Sequence, residues 1–233
     1  MSTGRAALIG AAIAILLVAG FVAAVALHVI PVGTQGQKSA EAVAVAFVLP
    51  GSDGVVAPRT LDIYSRTGSG YAVRSVSPMT PAQVPGTGGT TLADAYSFGG
   101  GDGLMSALNS TRGDAIDGWV IVDASTWLRL HGSAPVAFEL PSQVEVFDGK
   151  RLYSFSEGHA SVPADQLPEL LQGAGYLSAS ENAAVRKQAG DLLREALAAG
   201  GSTSAGLVRS DLNKDVLAQW LSGTGSARRV VGD

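Results

Sequence analysis

The chain has 233 residues, 20 acidic and 16 basic side chains, a formal charge of −4 and no cysteine. That excludes a disulfide scaffold, thiol catalysis and cysteine-ligated zinc. The absence of a basic block argues against nucleic acid as a partner, and 46% hydrophobic residues argue against disorder.

Between Arg5 and Lys38 no side chain is formally charged, and an apolar run extends from Ala7 to Leu27 with Gly10 and Gly20 as its breaks. At 1.5 Å per residue this spans about 30 Å, the thickness of a bilayer core. Ala24-Val25-Ala26 resembles a signal-peptide cleavage site, but the run exceeds the ~7–15 residues of a signal core. We therefore read residues 7–30 as a transmembrane helix that is not cleaved. Arg5 precedes it and Lys38 and Glu41 nearly cancel after it, so residues 1–6 are expected in the cytoplasm and the rest outside the cell membrane, as a single-pass type II protein. Residues 31–40 read as a linker, 41–223 as one exported domain and 224–233 as a flexible tail.

Within that domain, Ala42–Leu49 lacks a polar face and predicts a buried strand, ended by Pro50-Gly51-Ser52-Asp53-Gly54. Thr60–Tyr64 and Tyr71–Val76 predict further strands around Thr67-Gly68-Ser69-Gly70. The prolines at 78, 81 and 85 with Gly86-Thr87-Gly88-Gly89 predict irregular chain. Helices are expected over Leu92–Phe98 and Leu104–Asn109, with glycines between them and Asp102 capping the second. Gly118–Asp123 reads as a strand and Trp127–Leu130 as a short helix, with Asp123 placed either as its cap or as a catalytic carboxylate. Pro135–Leu140 and Gln143–Phe147 read as strands. Asp165–Leu171, Glu181–Ala199 and Asp211–Leu221 read as helices, with a loop at 200–204. The fold class is α/β (α+β), a central mixed sheet flanked by helices in a single domain after the transmembrane helix.

Enzyme constellations are scarce. Gly68-Ser69-Gly70 lacks the spacing of a nucleophile elbow. His131 and His159 belong to no metal-ligand pair, and Gly99–Gly103 is followed by no G-K-[ST] phosphate-loop signature. No catalytic residue and no metal ligand is assigned.

The order of several short blocks resembles the LytR–CpsA–Psr (LCP) family of bacterial cell-envelope proteins. Tyr71-Ala72-Val73-Arg74-Ser75-Val76-Ser77-Pro78-Met79-Thr80-Pro81 is similar to the family strand ending S-I-P-R-D-T, and Val84-Pro85-Gly86 to its I-P-G. Leu92-Ala93-Asp94-Ala95-Tyr96-Ser97-Phe98-Gly99-Gly100 resembles I-N-A-A-Y-A-Y-G-G, and Asp117–Asp123 the strand H-Y-V-x-V-D. Val136–Pro141 resembles V-x-V-x-V-P, and Ala183–Gln188 stands where the family has R-x-x-R-Q.

The resemblance implies an exported α/β domain with an elongated apolar pocket between sheet and helices for a polyprenyl tail. It also implies an Arg cluster and an Asp that, with Mg²⁺, handle a pyrophosphate. Most of the charged positions have been lost. P-R-D-T aligns with Ser77-Pro78-Met79-Thr80, Gln172 and Ala174 stand where two arginines are expected, and only Arg186 of R-x-x-R-Q remains. Arg74 and Arg129 are alternative cations, and Arg74, Tyr96 and Arg186 are the candidate substrate-binding residues. The reading that follows is a non-catalytic LCP-like binder of polyprenyl-linked or amphipathic envelope molecules, or a scaffold for active LCP paralogues in cell-wall glycopolymer attachment, with no cofactor. The alternatives are a phosphotransferase with a rearranged site, which needs Mg²⁺, and an interaction module whose pocket is filled by its own side chains.

Overall fold

The computed structural model describes residues 39–230, apart from 52 and 69. The expected N-terminus, the transmembrane helix and the linker up to residue 38 lie outside the described residues. Among the described residues no helix is long and apolar enough to cross a membrane.

Six strands form the central sheet in the order β10-β3-β2-β1-β4-β9. They are β1 (Ala42–Pro50), β2 (Val56–Thr67), β3 (Gly70–Ser75), β4 (Gly118–Asp123), β9 (Arg209–Ser210) and β10 (Arg228–Arg229). β1 pairs parallel to β4 and β10 parallel to β3, whereas β2 and β9 run against their neighbours. The sheet is therefore mixed, as expected. β5 (Val136–Leu140) pairs with β8 (Gly158–Val162), and β6 (Val144–Phe147) with β7 (Leu152–Phe155), as two separate ribbons.

β1 shows why the sheet is covered on both sides. Val43, Val45, Phe47 and Leu49 face one core and Ala44, Ala46 and Val48 the other. The small alanines let α1 (Leu92–Arg112) lie close, burying Leu92, Leu104 and Leu108. The larger face is covered by α2 (Ala124–His131), α3 (Leu167–Ala174), α4 (Ala179–Ser204) and α5 (Lys214–Thr224). Buried on both faces, β1 carries no polar side chain between Ala42 and Pro50, the pattern of a central strand in a two-sided sheet.

Several boundaries differ from expectation. The helices expected at 92–98 and 104–109 are both present, joined end to end as α1 and separated by a kink at Gly100, whose φ 59° and ψ −146° are not helical. Only glycine reaches that conformation without strain. Asp102 is not the cap of the second segment; its carboxylate accepts from Trp119 Nε1 at 2.8 Å. The loop expected at 200–204 is the last turn of α4 after a bend at Gly201. The tail expected from 224 instead includes β10, whose Arg228 and Arg229 pair with Ala72 and Val73. β7, β8, β9 and β10 had no strand expectation.

The caps are legible in the residues themselves. Thr91 accepts from the Asp94 amide at 3.1 Å, while the Asp94 carboxylate accepts from the Thr90 and Thr91 amides at 2.9 and 3.0 Å. Asp123 is the cap of α2, accepting from the Thr126 amide at 2.8 Å. The Thr90 amide and then the Thr91 hydroxyl hold the Asp94 carboxyl below the usual carboxylate range. A depressed folded value means that the contribution is present above the unfolded value, about 4, and is lost as pH falls through the folded one. Thr91→Ala should cost about 1 kcal/mol and flatten the acid limb of stability below about pH 4. Urea titrations at pH 3 and pH 7 check this, and equal losses at both would refute the coupling.

Candidate functional site

β3 delivers the chain to the carboxyl end of the parallel strands, the edge at which open α/β sheets bind ligands. From there residues 76–80 run to the N-terminus of α1, with one concavity on each side. The first, about 230 Å³, is walled by Thr60, Asp62, Ser75, Ser77, Ala183 and Arg186. The second, about 390 Å³, includes Arg59, Met79, Asp94, Ser97, Gln172 and Tyr176.

Arg186 projects from the second turn of α4 and is half-buried. Its Nη1 donates to Ser77 Oγ at 3.3 Å, and among the described residues no carboxylate forms an ion pair with it. Burial lowers its proton affinity, with no neighbouring charge to offset the loss. Asp62, on the same wall, is 4% exposed and already satisfied. It accepts from Ser75 Oγ at 2.6 Å and from Arg229 Nη1 and Nη2 at 3.1 Å each. Arg229 also donates to Asp191 from Nε at 3.1 Å and Nη2 at 3.0 Å. Burial works against the Arg229 charge, but Asp62 and then Asp191 outweigh it and raise its proton affinity.

In the second concavity Arg59 is also half-buried, and its Nε is buried without a hydrogen-bond partner among the described residues. Asp94 is committed to the α1 cap. Asp53 lines the same concavity, so Arg59 is not in excess over the carboxylates there; around them lies an exposed apolar rim of Val55, Met79 and Tyr176, with Met79 65% and Tyr176 78% exposed. Apolar groups of this size gathered around a cavity mark an interaction site more often than scattered surface residues do.

The three candidate residues do not meet. Arg186 lies in the first concavity, but Arg74 pairs with Asp114 at 2.6 Å. Tyr96 is buried on α1 and accepts from Arg209 Nη2 at 3.2 Å. Arg129 donates to Thr126 Oγ1 at 3.0 Å. His131 stacks on Trp127 at 4.6 Å, and exposed His159 stands 3.7 Å from Glu139. The positions aligned with the family motifs do converge. Ser77 and Arg186 share the first concavity, and Met79 and Gln172 share the second. Arg59 and Arg229 were missed. Arg59 precedes the strand expected from Thr60, and Arg229 stands in what reads as a tail; no local pattern in the sequence points to either.

The larger face of the sheet is densely packed. Phe47 meets Trp127 edge-on at 6.4 Å and Tyr64 meets Trp220 at 5.3 Å, and all four side chains are buried. The 230 Å³ concavity at this face is smaller than the ~300–1,000 Å³ of ordinary small-molecule sites. Nor do the residues fit a divalent cation. Met79 stands where the motif has Asp, Asp62 and Asp94 are committed elsewhere, and no cluster of three His, Asp or Glu exists among the described residues.

No family model and no curated protein matches the sequence. Solved structures do match. Bacillus subtilis TagV aligns over 83% of this chain and 85% of its own at 16% identity, TM-score 0.53. B. subtilis TagT aligns over 85% and 81% at 12% identity, TM-score 0.54. The fold is LCP-like. A Streptococcus agalactiae protein is similar over 84% of this chain and 78% of its own, at 11% identity and TM-score 0.60. At these identities the likeness concerns the LCP-like backbone, and the side chains of the site must be argued from this chain alone.

Proposed function

We propose that this LCP-like chain is a membrane-anchored, extracytoplasmic protein of the bacterial cell envelope. In this reading it binds the anionic head of a polyprenyl-linked or similarly amphipathic molecule without transferring it. The observation that carries the reading is the pair Arg59 and Arg186. Both are half-buried, neither forms an ion pair with a carboxylate among the described residues, and they flank the segment in which Met79 replaces the motif Asp. Arg186 in particular is a cation kept partly out of water without a counter-charge of its own, which is costly, and a phosphate oxygen would compensate it. The apolar rim suits the first carbons of a lipid chain, while the packed core leaves the sheet–helix interface little room for a whole polyprenyl tail. TagT has been solved bound to species named LI-WTA and LIIa-WTA, which supports an envelope ligand for this fold. Phosphoryl transfer depends on positioned charge at the transferring group; the loss of the Asp and of four motif arginines supports binding without turnover. Scaffolding of active LCP paralogues is compatible with the same site.

Native mass spectrometry of the full chain in detergent with a polyprenyl pyrophosphate tests this. Retained lipid mass without phosphate release is expected, with Arg59→Ala and Arg186→Ala each weakening binding about tenfold or more. Phosphate release abolished by Arg186→Ala would replace this reading with the transferase. No binding and no release would leave an interaction module.

A further inference from the structure

The C-terminal residues 227–230 form a short strap on the sheet edge. β10 pairs with Ala72 and Val73 of β3, and the Val230 amide donates to Val73 O at 2.9 Å. From this thin strand Arg229 reaches inward, 13% exposed, to a carboxylate 167 residues earlier in the chain. It bridges Asp62 and Asp191 and also bonds Ser75 Oγ and the Lys187 carbonyl. Two of these partners, Asp62 and Ser75, are walls of the concavity that holds Arg186.

The charges around this point are few. Arg186, Arg229 and Arg194, which lies 3.8 Å from Asp191, stand against Asp62 and Asp191. Glu195 meets Arg194 from the solvent side, 66% exposed. Within the interior set, the arginines exceed the carboxylates by one. Remove Arg229 and the excess is gone, with Asp62 held only by the Ser75 hydroxyl in the wall beside Arg186. A concavity of 230 Å³ places its wall groups well inside the ~8–10 Å screening length of physiological salt. A freed Asp62 would then repel the anion that Arg186 attracts.

We infer that Arg229 is a positioning residue for the anion site. By engaging Asp62, the C-terminal strap keeps the Arg186 concavity net positive, so that an incoming anionic head group finds an uncompensated cation. This deepens the proposed function and rests on its claim that Arg186 receives an anion. The strap also gives that affinity a control point, because lifting β10 from β3 would withdraw Arg229 and hand Arg186 an internal carboxylate in place of the ligand.

The test is calorimetric titration of the full chain in detergent with inorganic pyrophosphate, without divalent cations. The wild type is expected to bind, Arg229→Gln to bind about tenfold more weakly, and Arg229→Gln with Asp62→Asn to recover to within about twofold of wild type. Recovery is the diagnostic result, since a general loosening of the fold would not be repaired by a second substitution in the core. Asp62→Asn alone decides the matter if Arg229→Gln does not fold, and it should tighten binding severalfold. The inference is overturned if folded Arg229→Gln binds like wild type, if the double variant fails to recover, or if Asp62→Asn alone weakens binding. A wild type that binds no pyrophosphate overturns the proposed function itself, a result distinct from all of these.

Discussion

A Trp127→Ala chain is expected to lose about 3–5 kcal/mol of stability, the usual range for deleting a buried aromatic side chain. Trp127 ties three parts of the domain together. Its ring meets Phe47 of β1 edge-on, stacks on His131 of its own helix, and donates from Nε1 to Ala164 O at 2.9 Å. The hydrogen bond can be separated from the packing by comparison with Trp220. That indole is equally buried against Tyr64 and Tyr71, but its Nε1 has no partner among the described residues. Trp127→Phe removes a donor and strands a buried carbonyl, costing about 1–3 kcal/mol beyond the lost volume. Trp220→Phe removes a donor that was already unsatisfied, so its cost should be the smaller. Urea denaturation of the two Phe variants reads the difference, and equal losses would show that the Ala164 bond contributes nothing.

Gly190→Ala should also destabilise, although alanine in mid-helix ordinarily gains about 1 kcal/mol over glycine. Gly190 is buried on α4 directly over β2, and a Cβ there would strike Asp62 Oδ2 and crowd Arg229 Nη2. Both atoms belong to a buried ion pair, and breaking such a pair costs about 3–5 kcal/mol. We expect a net loss of about 2–3 kcal/mol once the helix propensity is counted. Thermal unfolding checks the sign, and a raised midpoint would mean that α4 can move off the sheet freely. Gly190→Ala should weaken pyrophosphate binding as well, since it disturbs the contact that occupies Asp62.

The elements with strong periodicity could be read from the sequence. β1 and β4 are apolar throughout their buried stretches, and α4 carries Val185, Leu193 and Leu197 on one buried stripe. What could not be read was set by tertiary contact. β9 and β10 are two residues each and have no period to detect; they are strands only because β4 and β3 offer free edges. The glycines between the two halves of α1 were legible too, because the chain leaves helical geometry at Gly100, inside the expected break. At the site, Arg186 was legible through the block around Ala183–Gln188. Arg59 was not, because the backbone continues β2 through Pro58 to Val56, beyond the expected start at Thr60. The Asp62–Arg229 pair joins opposite ends of the domain in sequence, and nothing local marks either residue as the partner of the other.

That pairing also fixes an order of events during synthesis. Asp62 is made in a strand destined for the interior, and its counter-ion follows only 167 residues later. Until residue 229 emerges, any compact intermediate must leave that carboxylate in water or bury it unpaired, and the second is strongly disfavoured. The nascent chain thus carries a built-in brake on premature closure of its own sheet, released only when residue 229 has been made.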